Sequence, residues 1–407
     1  MLTALIIFVA TYTVIAIQKI PRVHISRASG ALVGAVAMGL FGVLSVSEIY
    51  AAVDLDTLTF LLGMMILVGT LGISGFFEAV EGMLLRRART GISMMGLVVL
   101  SGGLLSPLFM NDTICLMLTP VVLRLTGRLG VSPVPHLIAL VTSANIGSVM
   151  TLIGNPQNML VGIHSRIPFL EFTGALWPVS AVGLVIDFAL IRWIYRRELD
   201  WAVDPSATVK ERAPVQKTLL SLSLLVMFSF LVLLSMGYPP QGVAISLAAL
   251  MILLGSNRPR RPLQEVDWTL LLLFAGLFIV MRGVEKAGIL DQILRLSGGI
   301  VADTGWIGTA GFAGVTLIAS NLVSNVPAVL LLSPLAGAMA DPHQAWLTLA
   351  MASTLAGNLT LIGSAANLIV IEIARQAGVS IGFMEYLKVG IPLTLLTVGL
   401  GIWMVSW

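Results

Sequence analysis

The sequence predicts an all-α polytopic membrane protein made of two inverted repeats, each with five transmembrane helices and one re-entrant hairpin. Three observations support this fold class. Hydrophobic residues make up 57% of the 407 residues, charged residues make up 11%, and the mean hydropathy is +0.99. Such a composition excludes an ordinary water-soluble protein. Apolar stretches long enough to cross ~30 Å of hydrocarbon recur along the chain, and one sequence occurs twice.

The repeated sequence divides the chain into halves. Residues 151–161 read TLIGNPQNMLV and residues 360–370 read TLIGSAANLIV, which match at six of eleven positions without a gap. A second pair precedes each copy, NDTICLMLTP at 111–120 and NVPAVLLLSP at 325–334. The two offsets, 209 and 214 residues, are nearly equal, so one ancestral unit fills each half. Duplicated apolar segments interrupted by Gly, Pro and Asn are typical of binding sites in secondary transporters.

The predicted membrane segments follow in order along the chain. Ten apolar stretches read as spans, at about 1–18, 28–46, 57–80, 132–163, 172–193, 217–236, 241–255, 268–290, 344–373 and 386–406. The stretches 90–125 and 298–338 are long but broken in the middle, and we expect each to form a re-entrant hairpin. The stretches 132–163 and 344–373 have about thirty residues each. That length suits a discontinuous helix whose unwound link lies at the membrane midplane.

The basic residues give the orientation. With the N-terminus outside, the cytoplasmic segments contain 19 of the 23 Lys and Arg residues, as the positive-inside bias requires. Arginines flank both ends of 90–125, which indicates that this stretch enters and leaves on the cytoplasmic face. The predicted units are therefore a first repeat at 1–195, a cytoplasmic linker at 196–217 and a second repeat at 218–407. We expect both termini outside and a location in the bacterial inner membrane.

The interruptions are where chemistry is expected. Non-helical backbone at membrane depth is tolerated only where it is buried in protein or lines a wet cavity. The breaks at Asn111, Asn155, Asn325 and Gly363 are such places, two in each half. Helix N-termini supply N–H donors, while unwound carbonyls and Asn or Ser oxygens can accept or coordinate. An Asn-Pro pair alone is usually a kink and a lone Asn is often helix glue, but four paired breaks favour a binding site.

Asp112 is the one carboxylate predicted at a hairpin tip, and its repeat counterpart is Val326. The duplicated fold therefore does not require an acid there, which favours Asp112 as a proton- or cation-coupling group over a plain helix cap. Asp187 lies near neither a motif nor a hairpin, with Arg192 about one helical turn away, and we expect a structural role for it.

Five motifs carry a family resemblance: Asn111-Asp-Thr, Ser143-Ala-Asn-Ile-Gly, Gly154-Asn-Pro-Gln-Asn, Ser324-Asn-Val-Pro and Gly363-Ser-Ala-Ala-Asn. The chain resembles the ion transporter superfamily, in particular the branch of arsenical pump membrane proteins, plant silicic acid efflux transporters and bacterial anion transporters. The resemblance implies ten spans, two opposed hairpins, a substrate site between hairpin tips and unwound helices, and elevator-type alternating access. It also implies a possible homodimer. The candidate substrate-binding residues are Asn111, Thr113, Asn145, Gly154, Asn155, Asn158, Ser324, Asn325, Gly363, Ser364 and Asn367.

One departure from the superfamily bears on the substrate. Dicarboxylate members carry Ser-Asn-Thr at both hairpin tips, whereas this chain has Asn111-Asp-Thr and Ser324-Asn-Val-Pro. The leading hypothesis is proton-coupled export of a small inorganic oxyacid such as arsenite, antimonite or silicic acid. These solutes are largely neutral near neutral pH, and no Lys or Arg falls within the five motifs. The alternative is a sodium-coupled anion or carboxylate transporter, or a sodium/proton antiporter, and a more remote one is a channel.

Other classes and partners are constrained by what the chain contains. One cysteine excludes an internal disulfide and a site built from several thiolates, and four histidines and no paired nucleophile argue against an enzyme. No Walker A sequence is present, so ATP-driven activity would need a separate ATPase subunit. Positive charges in membrane loops do not indicate a nucleic-acid partner. The expected partners are a small solute and the lipid bilayer, with a proton or sodium as coupling ion and no other cofactor.

Overall fold

The computed structural model describes residues 1–17, 26–88, 90–201, 215–255, 260–289 and 305–406. Most of the predicted linker at 196–217 and the start of the stretch at 298–338 lie outside these ranges. Within them the first half of the chain forms α1 (Leu2–Ile17), α2 (Arg27–Leu40), α3 (Val46–Ala52), α4 (Leu55–Ile73), α5 (Phe76–Arg87), α6 (Gly91–Phe109), α7 (Asn111–Leu129), α8 (Val134–Ser148), α9 (Pro156–Ser165) and α10 (Phe169–Ile194).

The second half continues with the same kind of element. Its helices are α11 (Lys217–Ser235), α12 (Pro240–Gly255), α13 (Arg260–Gln264), α14 (Trp268–Lys286), α15 (Trp306–Val323), α16 (Asn325–Ala338), α17 (Pro342–Ala356), α18 (Ala365–Gln376) and α19 (Phe383–Val405). Seven helices among the described residues, α4, α6, α10, α11, α14, α15 and α19, are long and apolar enough to cross a membrane. The prediction of an all-helical, multi-pass membrane protein is confirmed at this level.

Two predicted spans end earlier than the hydropathy pattern indicates. The stretch read at 57–80 divides, because α4 ends at Ile73 and Gly75, with φ 88°, turns the chain into the separate helix α5. Glycine adopts this left-handed conformation without steric cost. The stretch read at 28–46 ends at Leu40, and α3 follows as a short helix. Lys286, at the end of α14, donates to Glu48 of α3 over 2.7 Å, and this contact together with the hydrogen bonds from Ser45 lowers the pKa of that carboxyl to about 2.

Both predicted helix interruptions are present. The chain leaves helical geometry after Ser148 and resumes it at Pro156, and it does so again between Ala356 and Ala365. Each unwound link follows a helix that is buried on every side: all residues at 135–148 of α8 and at 345–356 of α17 are buried. Helix α6 packs on α8 and α15 packs on α17. Polar groups in the links must therefore find partners inside the protein.

One type of close contact between helices occurs twice, once with its glycine in the first half of the chain and once with its glycine in the second half. A Cβ on Gly63 of α4 would lie 2.6 Å from the carbonyl carbon of Ala244 in α12. A Cβ on Gly276 of α14 would lie 2.7 Å from the carbonyl carbon of Ala31 in α2. Residues 31 and 244, and residues 63 and 276, are each 213 positions apart. The same small-residue contact therefore forms twice, with the partners taken from opposite halves.

Candidate functional site

Two single-residue turns connect consecutive helices, one in each half of the chain. Met110 separates α6 from α7 with φ 66° and ψ 131°, and Ser324 separates α15 from α16 with φ 75° and ψ 160°. Positive φ at a residue other than glycine is strained by about 1–3 kcal/mol and persists only where the surroundings impose it. The two residues are 214 positions apart, as are the two motifs that begin directly after them. We call these residues with the helix starts that follow them the first tip and the second tip.

The first unwound link is held by its own asparagines. The Asn155 side chain caps α9 by accepting from the Asn158 backbone N–H at 2.8 Å. The Asn158 amide donates to the carbonyls of Ser148 and Thr151, both at 3.0 Å, and so bridges the link. Gly154 packs so closely that a Cβ would lie 2.2 Å from the Ser148 oxygen. These contacts explain why Gly154, Asn155 and Asn158 occur together in this segment.

The second link repeats this arrangement 209 positions later. The Asn367 amide donates to the carbonyls of Gly357 at 2.7 Å and Thr360 at 2.9 Å. Ser364 caps α18 in the place of an asparagine. A Cβ on Gly363 would lie 3.1 Å from the Gly357 oxygen, a less severe contact than in the first link. The two motifs therefore build the same local structure, because the residues that cap, bridge and turn stand in equivalent positions.

A buried amide cluster joins the first tip to the second link. Asn111 donates through Nδ2 to Oδ1 of Asn145 at 2.9 Å, and Ser364 donates to the same oxygen at 3.3 Å. The Asn145 amide in turn donates to Oδ1 of Asn358 at 2.8 Å and of Asn367 at 3.1 Å. All five side chains are buried. The Asn111 backbone N–H is also paired, so α7 begins within a continuous network.

A reciprocal contact joins the second half to the first link. Thr354, which stands 209 positions after Asn145, accepts from the Asn155 amide at 3.1 Å and lies 3.2 Å from Oδ1 of Asn158. Asn145 contacts Asn367, and Thr354 contacts its counterpart Asn158. Equivalent positions of the two halves therefore make equivalent contacts, each with the opposite half.

The second tip lies against the same cluster. The Asn325 amide is next to Gly357, because a Cβ added to Gly357 would lie 3.4 Å from Nδ2 of Asn325. Asn325 is buried, whereas Ser324 is partly exposed. The Ser324 hydroxyl accepts from the guanidinium of Arg27 at 3.2 Å. The structure thus brings both tips and both unwound links into one polar region, although they are distant in sequence.

Charged groups border this region at the start of α7. The Asp112 carboxylate is partly exposed and lies near the backbone N–H of Ala366 at the start of α18. Within the described ranges, Arg27 and Asp267 are the charged groups that act on Asp112 electrostatically, the first attractive and the second repulsive. Thr113 is also partly exposed, in the same first turn. Asp112 therefore joins the first tip to the second link while remaining accessible from the rim.

Three residues of this region were not among the sequence-based candidates. Thr354 could have been found, because it stands at the repeat position of Asn145. Asn358 lies two residues beyond the end of α17 and receives Asn145, yet it belongs to no motif that the sequence singles out. Arg27 gave no local signal, since the sequence places it in a basic cytoplasmic segment like many others. Its position at the second tip weakens the argument that the site lacks a cation.

The chain matches the citrate transporter family, CitMHS, over residues 12–356. It is 31% identical to the silicon efflux transporter LSI3 of Oryza sativa subsp. japonica, over 94% of this chain and 93% of that protein. It is 25% identical to the putative transporter arsB of Dictyostelium discoideum, over 98% of this chain and 90% of that protein.

A solved structure shows the same fold. The YdaH transporter of Alcanivorax borkumensis aligns with a TM-score of 0.58 and 16% identity, covering 100% of this chain and 96% of that one. The relatives are membrane transporters and not enzymes. The chain therefore belongs to the CitMHS citrate transporter family of the ion transporter superfamily, with relatives of the silicon efflux and arsB type, and is a secondary transporter.

Proposed function

We propose that this protein exports a small inorganic oxyacid, such as silicic acid, arsenite or antimonite, by proton-coupled alternating access. The observation that carries the proposal is the convergence of uncharged amides and hydroxyls from both tips and both links on one buried region. A neutral polyhydroxy solute needs donors and acceptors of this kind and gains nothing from a bidentate guanidinium clamp. Among the relatives, LSI3 is named as a silicon efflux transporter and arsB as a putative transporter.

The hydrogen bonds of the links favour a proton over sodium as coupling ion. Unwound carbonyls can coordinate a cation only where they are free to do so. Here the carbonyl pair of each link accepts from the amide of Asn158 or Asn367, whose N–H groups occupy the place of a cation. Asp112 is the acid at the rim of the site, and we assign it the coupling proton.

The proposed cycle uses two inverted repeats, 1–195 and 218–407, with α6–α7 and α15–α16 as opposed re-entrant hairpins. The exchanged contacts of Asn145 and Thr354, and of the Gly63 and Gly276 pairs, support the two-fold relation. Asp112 releases its proton inward, and the solute binds between the Asn111 and Asn325 tips. The unit that carries the site then moves in the manner of an elevator, and reprotonation from outside displaces the solute.

Transport by purified protein in proteoliposomes tests this proposal. Silicic acid, arsenite and antimonite are offered under a pH gradient or a sodium gradient of equal size. We expect accumulation with the pH gradient, none with sodium alone, and a lower limiting accumulation ratio in Asp112→Asn than in the wild type. Glu171→Gln, an exposed acid at the start of α10 that is not among the groups acting on Asp112, serves as the control. Accumulation that follows sodium and ignores pH would rule out the proposal, and uncoupled flux in the wild type would indicate a channel.

Arg27 favours a second candidate, a carrier of anions or carboxylates. Its guanidinium lies at the second tip, 3.2 Å from the Ser324 hydroxyl, where it could bind an anionic oxygen. Citrate, phosphate and sulfate should then raise the melting temperature of the wild type and not of Arg27→Gln. If Arg27 acts only on Asp112, Arg27→Gln should change the pH dependence of oxyacid transport. The anions should then leave the melting temperature of the wild type unchanged.

A further inference from the structure

Asp187 is a buried acid that the proposed cycle does not use. It lies in α10, its side chain is 0% exposed, and its Oδ1 lies 2.8 Å from Oγ1 of Thr142 in α8. Its Oδ2 is buried without a hydrogen-bond partner in the part of the chain that the structure describes. Arg192, the neighbour expected from the sequence, is exposed instead. An ionised carboxylate in this place would be costly, because no cation among the described residues compensates its burial.

The positions of the oxygens fit a proton on Asp187. Thr142 Oγ1 lies 2.8 Å from Asp187 Oδ1 and also 2.8 Å from the carbonyl of Ile138. A hydroxyl has one hydrogen, so it can donate to only one of these two acceptors. Both contacts are hydrogen bonds if Asp187 is protonated: its O–H donates to Thr142, and Thr142 donates to Ile138. We propose that Asp187 is a second proton-binding site of the transport cycle and is loaded in this conformation.

The second half shows that the fold does not need this acid. Residues 169–178, FLEFTGALWP, align with residues 383–392, FMEYLKVGIP, at an offset of 214, sharing Phe, Glu and Pro. Asp187 then corresponds to Gly401, and Thr142 corresponds to Met351 at the offset of 209. Gly401 packs directly on Met351, since a Cβ there would lie 2.6 Å from the Met351 sulfur. The equivalent helix contact is thus apolar, and the carboxylate is an addition to it.

Asp187 is connected to the amide cluster through α8. The Thr142 carbonyl accepts from the Asn358 amide at 3.3 Å, and Asn358 Oδ1 accepts from Asn145 at 2.8 Å. Thr142 also precedes Asn145 by three residues, about one helical turn. Loss of the proton would turn the Thr142 hydroxyl from Ile138 to Asp187. A change in the position of Thr142 therefore reaches the amide cluster through Asn358.

The surroundings of Asp187 contain few other groups that could exchange its proton. Among the described residues it shares a hydrogen bond with Thr142 and interacts electrostatically with the phenol of Tyr386 on α19. The Tyr386 hydroxyl accepts from the Asn367 amide. Helix α10 also packs against α6, α11 and α17. Helix α6 has no titratable side chain. The titratable side chains of the other packed helices are Lys217 of α11, His343 of α17, His136 of α8, and Glu385, Tyr386 and Lys388 of α19. Because α10 packs on α6, α8 and α17, Asp187 and its proton would move together with these helices during the transport cycle.

Asp187→Asn tests the inference, which rests on the proposed proton coupling. The Asn amide can donate to Thr142 as the protonated acid does, so we expect folding and solute-induced thermal stabilisation to persist. One coupled proton can concentrate a neutral solute about tenfold under a pH gradient of one unit, so the limiting accumulation ratio should fall about tenfold. Ser180→Ala is the matched control, because Ser180 also joins α10 to α8, through the Ile146 carbonyl at 2.8 Å, but does not titrate.

Infrared difference spectroscopy provides a readout that does not depend on transport. The wild type and Ser180→Ala should show a protonated carboxyl C=O band that Asp187→Asn lacks and that shifts in Thr142→Val. A wild-type accumulation ratio in Asp187→Asn, or a wild type without this band, overturns the inference and leaves the proposed function standing. If the wild type ignores the pH gradient, the proposed function fails first. A protonated Asp187 would then be structural, and the inference would fail with it.

Discussion

The amide of Asn145 makes four contacts, accepting from Asn111 and Ser364 and donating to Asn358 and Asn367. One residue of the first half therefore fixes the start of α7 and the second unwound link at the same time. Because the side chain is buried, its partners have no water to replace it. At the residue scale, hydrogen bonds between uncharged side chains, and not charged groups, set the positions of the tip and the link around Asn145.

We expect Asn145→Ala to lower stability by about 2–4 kcal/mol, because it leaves several buried polar atoms without a partner at roughly 1–3 kcal/mol each. Thermal stabilisation by silicic acid or arsenite should be lost as well, since both the tip and the link lose their position. Melting curves of the purified protein with and without solute measure both effects. Ser333→Ala removes a buried hydroxyl that donates to the Val329 carbonyl of its own helix, and it should retain the solute response. Full solute stabilisation in Asn145→Ala would contradict this assignment.

At the scale of the element, the unwound links depend on glycine for space and not for conformational freedom. Gly154 has no positive φ, yet a Cβ there would overlap the Ser148 oxygen at 2.2 Å. The equivalent contact at Gly363 is 3.1 Å, with Oδ1 of Asn321 at 3.0 Å. The first link therefore has less space for a side chain at its glycine than the second link has.

Gly154→Ala should disrupt the link between α8 and α9, while Gly363→Ala should be tolerated with a small loss of stability. Gly174→Ala in α10 is the control, because a Cβ there meets nothing within 4 Å and alanine favours the helix. Yields of monodisperse protein and melting temperatures compare the three variants. Equal behaviour of Gly154→Ala and Gly174→Ala would show that the close approach is not required.

The sequence predicts these elements where the signal is local. The interruptions follow from Gly, Pro and Asn within apolar runs, and the structure places them between Ser148 and Pro156 and between Ala356 and Ala365. The break at Gly75 was missed, because the apolar run continues through it and one glycine is a weak signal.

The contacts that depend on tertiary packing could not be predicted in this way. Arg27 reaches the second tip from a segment that reads as an ordinary basic loop. Asp187 was expected to be structural, but only the packing of α10 on α8 shows which groups it meets. That the candidate asparagines lie together is visible in the structure, whereas their role in solute binding stays a prediction.

At the scale of the whole molecule, contacts are exchanged between the halves. Helix α2 packs on α14 and α4 on α12, while α7 packs on α18 and α16 on α9. Neither half could bury its small-residue faces without the other, so the two should fold as one cooperative unit. The proposed inverted orientation also sets where the chain ends lie.

Both termini should lie outside, with the 196–217 linker in the cytoplasm. Alkaline phosphatase fused after residue 407 should be active in bacterial cells, and fused within the linker it should be inactive. A fluorescent protein that matures only in the cytoplasm should give the opposite result at each position. Fluorescence from the C-terminal fusion would contradict the ten-span arrangement.

Cys115, the chain's one cysteine, has a practical consequence. Its thiol is 0% exposed within α7, so maleimide reagents should leave the native protein unmodified. Spin labels or fluorophores could then be introduced at chosen surface positions without first removing it. Distances between labelled helices, followed as the solute is added, would show directly which part of the carrier is displaced.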